Sequence, residues 1–233
     1  MNLMKHVAKV KKAVETAHGA MEDALMKRDN ESQRIKEKAA KDPWYTQQQA
    51  TADNEKSARE FSEEWDAAFK AFNEQVDAAR QDLVNDLHAF YKPDGAKIVK
   101  ADTDLLTSGI NLTLDEVGEM LQANADNVTM LRIITQYARK QKYENIPSLL
   151  ERTFCKVEKA GEAEKQAFDR FAGIARTGMS MKDSTYIHVQ RSLERLYAEA
   201  EIAFMRAKLV LTAEELEAIN AKESENRSKF ANV

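Results

Sequence analysis

The residues of this chain that could carry out chemistry are four histidines, one cysteine and several acidic clusters. Metal and catalytic sites need such groups at matched spacings, for example two histidines one helical turn apart. The histidines, at positions 6, 18, 88 and 188, lie far apart along the chain and share no such spacing. The sequence therefore predicts no metal site, no catalytic residue and no cofactor-binding residue.

The cysteine and the acidic clusters have simpler interpretations. Cys155 lies beside Phe154 and Val157 on an apolar helix face, which indicates a buried structural thiol rather than a nucleophile. The clusters "SEEWD" and "TAEELE" fall on helix faces or first turns, where carboxylates are solvated and complement the helix dipole. The glycines stand singly, so no phosphate-binding loop is present. We expect a protein that is not an enzyme.

Residues 112–142 are the segment most similar in layout to a nucleic-acid site. The stretch "LTLDEVGEMLQANADNVTMLRIITQYARK" predicts a capped helix, a turn and a second helix, as in a helix-turn-helix. The candidate DNA contacts are Asn127, Thr129, Arg132, Arg139 and Lys140. However, "MLRII" is typical of a buried face, and the net charge of −4 provides no general attraction to nucleic acid. DNA binding is therefore the alternative prediction.

An aromatic stripe is the main candidate for a binding surface. Phe61, Trp65, Phe69, Phe72 and Val76 recur once per helical turn in "EFSEEWDAAFKAFNEQV". Acidic residues flank the rings, whereas a base-stacking surface needs flanking cations. Each aromatic buries on the order of 150–250 Å², so one facing helix leaves ring surface uncovered. The stripe, together with Phe90, predicts a protein interface with a second hairpin or with the C-terminal half.

These residues must be positioned by helices. Only 7 Gly and 3 Pro occur in 233 residues, and strong helix formers recur throughout. A heptad seam occupies the first helix: Leu3, Val7, Val10, Val14, Ala17, Met21 and Ala24/Leu25. Pro43 ends this helix, and the next should run from about Thr46 to Tyr91. The sequence predicts an all-α fold with a long N-terminal antiparallel helical hairpin, coiled-coil-like, in which residue i faces roughly residue 86 minus i.

A smaller multi-helix domain should follow the hairpin. Capping boxes begin helices at Thr113 and Thr212, and "NADN" begins another that runs to about Gln141. One long helix is expected from about Pro147 past Gly161 to Ala175. A later seam comprises Tyr186, Val189, Leu193, Leu196, Ala200, Ala203, Ala207 and Val210. We predict a hairpin at 1–91, a connector at 92–110, a helical domain at 111–222 and a frayed tail at 223–233.

Residues 102–140 carry a family resemblance. "DTDLLTSGINLT" followed by "DNVTMLRIITQYA" resembles a segment of uncharacterised helical proteins of tailed bacteriophages and prophages. The resemblance implies a bacterial cytoplasmic or virion setting and a role in particle assembly, in the general style of helical scaffolding proteins. It implies no catalytic residue.

The preferred prediction is therefore a non-enzymatic, self-associating helical protein. Its expected partners are copies of itself or another phage or bacterial protein, without a cofactor. No apolar run approaches the roughly 18 residues that span a bilayer, so we expect no membrane insertion. The alternatives are a DNA-binding regulator that uses residues 112–142, and a small helical enzyme or ligand binder with its pocket between C-terminal helices.

Overall fold

The computed structural model describes residues 4–180 and 186–230, and in the second range the side chains of 194, 195, 197–206 and 208–230. These residues form helices and contain no strand, which confirms the all-α prediction. The helices are α1 (Met4–Lys41), α2 (Gln47–Tyr91), α3 (Lys100–Thr107), α4 (Leu114–Ala123), α5 (Val128–Gln141), α6 (Ser148–Glu158), α7 (Glu162–Ser180), α8 (Tyr186–Ala207) and α9 (Ala213–Lys229), with a 3-10 turn at Gly95–Lys97.

The helices α1 and α2 pack closely as the predicted hairpin. The seam residues of α1 that are buried are Val7, Val10, Val14, Ala17, Met21 and Ala24. The chain reverses between Lys41 and Gln47, where the backbone N–H of Trp44 donates to the carboxylate of Asp42 at 3.0 Å. Pro43 follows Asp42, and a proline disfavours helical geometry at the residue before it. The predicted end of the first helix is confirmed.

The register of the hairpin differs from the predicted one. Lys5 and His6 both pair with Asp86, and Lys27 pairs with Glu64. The numbers of paired residues thus add to 91 or 92 rather than 86. The reversal occupies all the residues between Lys41 and Gln47, so its centre lies beyond Pro43, and the two helices are also staggered by about one turn.

The division of the chain into compact units does not follow the predicted boundaries at 91, 110 and 222. One unit comprises, of the described residues, 4–7, 80–171 and 191–230. The other comprises 8–79 with 172–180 and 186–190. Units of this kind arise because segments distant in sequence pack together, which composition and turn signals do not reveal. The second unit adds part of α7 to the hairpin, and the ion pair between Arg176 and Asp77 joins them at 2.5 Å.

The predicted connector at 92–110 is an ordered part of its unit. The backbone N–H of Asp94 donates to the hydroxyl of Thr129, and the side-chain amide of Asn127 donates to the carbonyl of Lys97. The hydroxyl of Tyr137 donates to the carbonyl of Ile110 at 2.9 Å. The helix α3 also contacts α5. Hydrogen bonds to the buried helix α5 and its cap therefore hold this segment in place. A flexible linker would lack such bonds.

Two predictions about the C-terminal helices need correction. The expected long helix is two helices, α6 and α7, because Gly161 adopts a left-handed conformation with φ of +81°. The tail expected to fray from 223 instead continues α9 to Lys229, and Glu223 pairs with Arg206 at 2.5 Å. The capping box at Thr212 is confirmed.

The later seam is tested only in part. Ala200 and Val210 are buried. The side chains at Tyr186, Val189, Leu193, Leu196 and Ala207 lie outside the described residues, as do residues 231–233.

Candidate functional site

The aromatic stripe divides into covered and partly uncovered residues. Phe72 and Val76 are 0% and 1% exposed within a single chain. Both are therefore removed from the predicted interface, because their surface is already used in the core of the second unit. Phe61, Trp65 and Phe69 are half-buried. Their assignment to an interface stays a prediction.

The rings of the stripe also contact one another. The rings of Phe61 and Trp65 lie 5.6 Å apart, and those of Phe69 and Phe72 lie 6.2 Å apart. Phe90 belongs to the other unit, is half-buried and meets Tyr91 edge to face at 5.1 Å. Phe61, Trp65 and Phe69 thus retain exposed surface on α2, and Phe61 and Trp65 lie nearest the C-terminal half of α1.

Apolar side chains of α1 accompany those two rings. Leu25 is 38% exposed and Met26 is 53% exposed, and the register places Met26 opposite Trp65. Met26 and Phe61 line one cleft of about 540 Å³ between the helices. The guanidinium of Arg28 lies over the Phe61 ring at 4.6 Å. We call Leu25, Met26, Trp44, Phe61 and Trp65 the outer hairpin surface.

Sequence reasoning missed two members of this surface, Met26 and Trp44. Trp44 is the more exposed of the two. It occupies the reversal between α1 and α2 and is 87% exposed. Trp rarely remains this exposed in a monomer, and it is enriched among residues that dominate binding energy at protein interfaces. The signal was present in the sequence, since "DPW" predicts a turn and a residue in a turn at the tip of a hairpin has few neighbours.

A second group of exposed apolar residues follows the hairpin. Ile98, Val99, Leu105 and Ile110 are each more than one third exposed. They all lie in the segment that composition predicts to be a connector. In α3 only Leu106 is buried, so most apolar residues of this segment face away from the core of their unit.

The helix-turn-helix interpretation fails at the proposed recognition helix. Met130, Leu131 and Ile134 of α5 are fully buried, and α5 contacts α3, α4 and α6. Asn127 caps α5 by accepting from the N–H of Met130, and Thr129 is also buried. A helix that reads bases must present its first turns to the major groove. This one presents them to its own protein.

The basic candidates near the end of α5 do not form a cationic surface. Arg139 makes hydrogen bonds to both carboxylate oxygens of Glu151, at 2.8 and 2.9 Å, and to those of Glu158, at 2.8 and 3.1 Å. The guanidinium lowers the pKa of Glu151. Arg132 is half-buried and Lys140 is exposed. The two carboxylates thus more than neutralise the positive charge of Arg139, one of the predicted DNA contacts.

Cys155 also belongs to this ion cluster. Its thiol donates to Glu151 at 3.3 Å, and this hydrogen bond raises the pKa of the thiol. A raised pKa leaves less thiolate, which is the reactive form. The side chain is half-buried rather than buried as expected. Its chemistry nevertheless agrees with a structural thiol.

The histidines lie in different environments. His6 is 1% exposed and its Nε2 lies 2.9 Å from Asp86, so it is a core residue. Burial lowers the pKa of His18. The side chain of His188 lies outside the described residues. Within residues 4–180 and the described part of 186–230, no group of three His, Cys, Asp or Glu side chains is placed to hold a metal ion.

Comparisons with known proteins add no relative. No protein-family model, no curated protein and no solved structure matches this chain. Among the described helices, none combines the length and the apolar character that a membrane crossing requires.

Proposed function

We propose that this protein is a non-enzymatic helical protein that associates with copies of itself or with another protein through the outer hairpin surface. The observation that supports the proposal best is the exposure of Trp44 at the reversal of the hairpin, 87% of its surface. Tryptophan is enriched among the residues that dominate the binding energy of protein interfaces.

The length of the hairpin suits such a role. The helix α2 has 45 residues, which at about 1.5 Å per residue corresponds to roughly 67 Å. Helices of this length offer a long lateral surface for contacts with a partner. The cleft beside Met26 and Phe61 offers a concave surface into which an apolar side chain of a partner fits.

The resemblance of residues 102–140 to phage and prophage proteins supports a place for this activity in particle assembly. Assembly proteins of the scaffolding type work through repeated contacts between copies rather than through catalysis. The ion cluster around Arg139 and the raised pKa of the Cys155 thiol fit a protein without a nucleophile.

Self-association through the hairpin is tested by sedimentation velocity over a wide range of protein concentration. The wild-type protein should increase in mass with concentration, and a Met26→Ser, Trp44→Ser double variant should remain monomeric. Ile110→Ser is the matched control, because Ile110 is 55% exposed but lies outside the hairpin. A wild-type protein that stays monomeric at the highest concentration would overturn self-association.

A further inference from the structure

A groove along α8 and α9 is lined by an unusual number of arginines. Arg170 of α7, Arg195 and Arg206 of α8 and Arg227 of α9 border a cavity of about 640 Å³. All of them belong to the same compact unit. The groove lies between C-terminal helices, and no residue of the outer hairpin surface lines it.

The arginines outnumber the carboxylates that accompany them. Glu199 lies 3.1 Å from Arg195 and 3.9 Å from Arg170. Glu223 lies 2.5 Å from Arg206 and 2.9 Å from Arg227. Two carboxylates therefore face four guanidinium groups, and the lining carries two excess positive charges in a chain whose net charge is −4.

The arginines also have N–H groups that the two carboxylates cannot all accept from. A guanidinium has five N–H groups in a planar fork, and one shared carboxylate cannot accept from all of them. The side chains of Arg170 and Arg227 are each 78% exposed, so their remaining N–H groups are accessible from the groove.

A second, independent donor lines the same groove. The Nδ2 atom of Asn226 is buried and has no hydrogen-bond partner among the described residues. Buried amide donors in proteins are nearly always paired, with protein, water or a ligand. Because this atom has almost no solvent-accessible surface, the Asn226 side chain must turn to meet an acceptor atom in the groove.

We propose that the groove binds a small anion that carries phosphate groups. The planar fork of arginine matches phosphate oxygens, and it is favoured wherever phosphate is recognised. Small-molecule sites commonly measure about 300–1,000 Å³, which includes this groove. Ile202, Ala203 and Phe230 add apolar lining beside the charged groups, as ligand pockets require.

Isothermal titration calorimetry with tripolyphosphate and with ATP tests the site. The double variant Arg195→Ala, Arg227→Ala should weaken tripolyphosphate binding by about tenfold or more, because two charge-assisted contacts are lost. Asn226→Asp keeps the volume but replaces the free donor with a negative charge, so it should weaken binding similarly. Circular dichroism would confirm that each variant is folded.

The control is the double variant Arg34→Ala, Arg59→Ala, which removes the same charge from α1 and α2 and should bind as the wild type does. Equal affinity for tripolyphosphate and ATP would show that the phosphate chain alone is recognised. Tighter binding of ATP, lost in Phe230→Ala, would show that a base also contacts the groove. Absence of binding to both probes, or equal losses in the control and the groove variants, would overturn the proposal.

Discussion

Gly161 interrupts what the apolar pattern predicts as one continuous helix. Its φ of +81° is a conformation that costs residues with a Cβ atom about 1–2 kcal/mol. Space is not the constraint, because a Cβ atom there would meet the Tyr91 ring at an ordinary distance of 3.5 Å. The pattern could not reveal this break, since a single glycine within an apolar face is tolerated in a helix at a cost of only about 1 kcal/mol.

Gly161→Ala should therefore lower the free energy of unfolding by about 1–2 kcal/mol through backbone strain. Urea denaturation followed by circular dichroism measures the change. Gly173→Ala is the matched control: it lies within α7, has open space around it, and should be neutral or stabilising by up to about 1 kcal/mol. Equal stability of the two variants would contradict this account of Gly161.

Tyr91 and Glu164 form a buried pair in the same region. The hydroxyl donates to the Glu164 carboxylate at 2.6 Å, and both side chains are buried. Burial and this hydrogen bond raise the pKa of Tyr91. A buried polar group depends on the hydrogen bonds that the protein provides, because water cannot replace them.

Tyr91→Phe removes that donor and should lower the free energy of unfolding by about 1–3 kcal/mol, measured by thermal and urea denaturation. Tyr45→Phe is the control, since the Tyr45 hydroxyl makes the same 2.6 Å contact to Asp53 near the exposed reversal of the hairpin. Solvent replaces the donor there, so little change is expected. A larger effect at Tyr45 than at Tyr91 would refute the role of burial.

At the scale of helices, α6 closes the end of α8. The ammonium group of Lys156 donates to the backbone carbonyls of Arg206 and Lys208, which lie at the end of α8. Terminal carbonyls of a helix have no partner within the helix, and cations stabilise them. Burial, followed by repulsion from Arg152, lowers the pKa of Lys156 to about 8. Burial and the nearby Arg152 thus disfavour the charge of Lys156, although the carbonyls that it contacts favour a cation.

This contact predicts a pH dependence. Above about pH 8 the folded state releases the Lys156 proton, while the unfolded state keeps it up to the ordinary lysine pKa of roughly 10.4. Stability rises with pH wherever the unfolded state binds more protons. Relative to Lys156→Met, the wild-type free energy of unfolding should rise by on the order of 2 kcal/mol between these pH values. Parallel curves of urea stability against pH would disprove the shift.

The helix α5 shows how neighbouring elements decide the role of a segment. Its sequence has the layout of a recognition helix, yet α3, α4 and α6 all contact it. The capping residues at Thr113 and Asn127 were predictable, because a cap needs only its own helix. The burial of Thr129 was not, because its partner at Asp94 is 35 residues away.

At the scale of the whole molecule, the hairpin residues 8–79 belong to one unit with residues 172–180 and 186–190. The sequence predicted that either a second hairpin or the C-terminal half packs against the aromatic stripe. The structure assigns residues 172–180 to that unit, and Ala172, Ala175 and Met179 are buried there. Two helices alone bury one face of each, so they leave apolar surface on the others.

A fragment of residues 1–91 should therefore not reproduce the stability of the hairpin in the full chain. We expect a broad thermal transition and increased binding of an apolar dye, because the fragment lacks the part of α7 that belongs to the same unit. Addition of a peptide of residues 172–190 should sharpen the transition and lower the dye signal. A fragment that melts cooperatively by itself, with no dye binding, would show that residues 172–190 are dispensable.

Local chemistry explains what the sequence by itself determined: the all-α class, the end of α1 before Pro43, the caps of α4, α5 and α9, and the buried seam of α1. Each depends on residues within a few turns of one another. Only the tertiary structure decided the hairpin register, the composition of the two units, the burial of Phe72 and the exposure of Trp44. These depend on which distant segments meet, and helical periodicity specifies that a face must be covered without specifying what covers it.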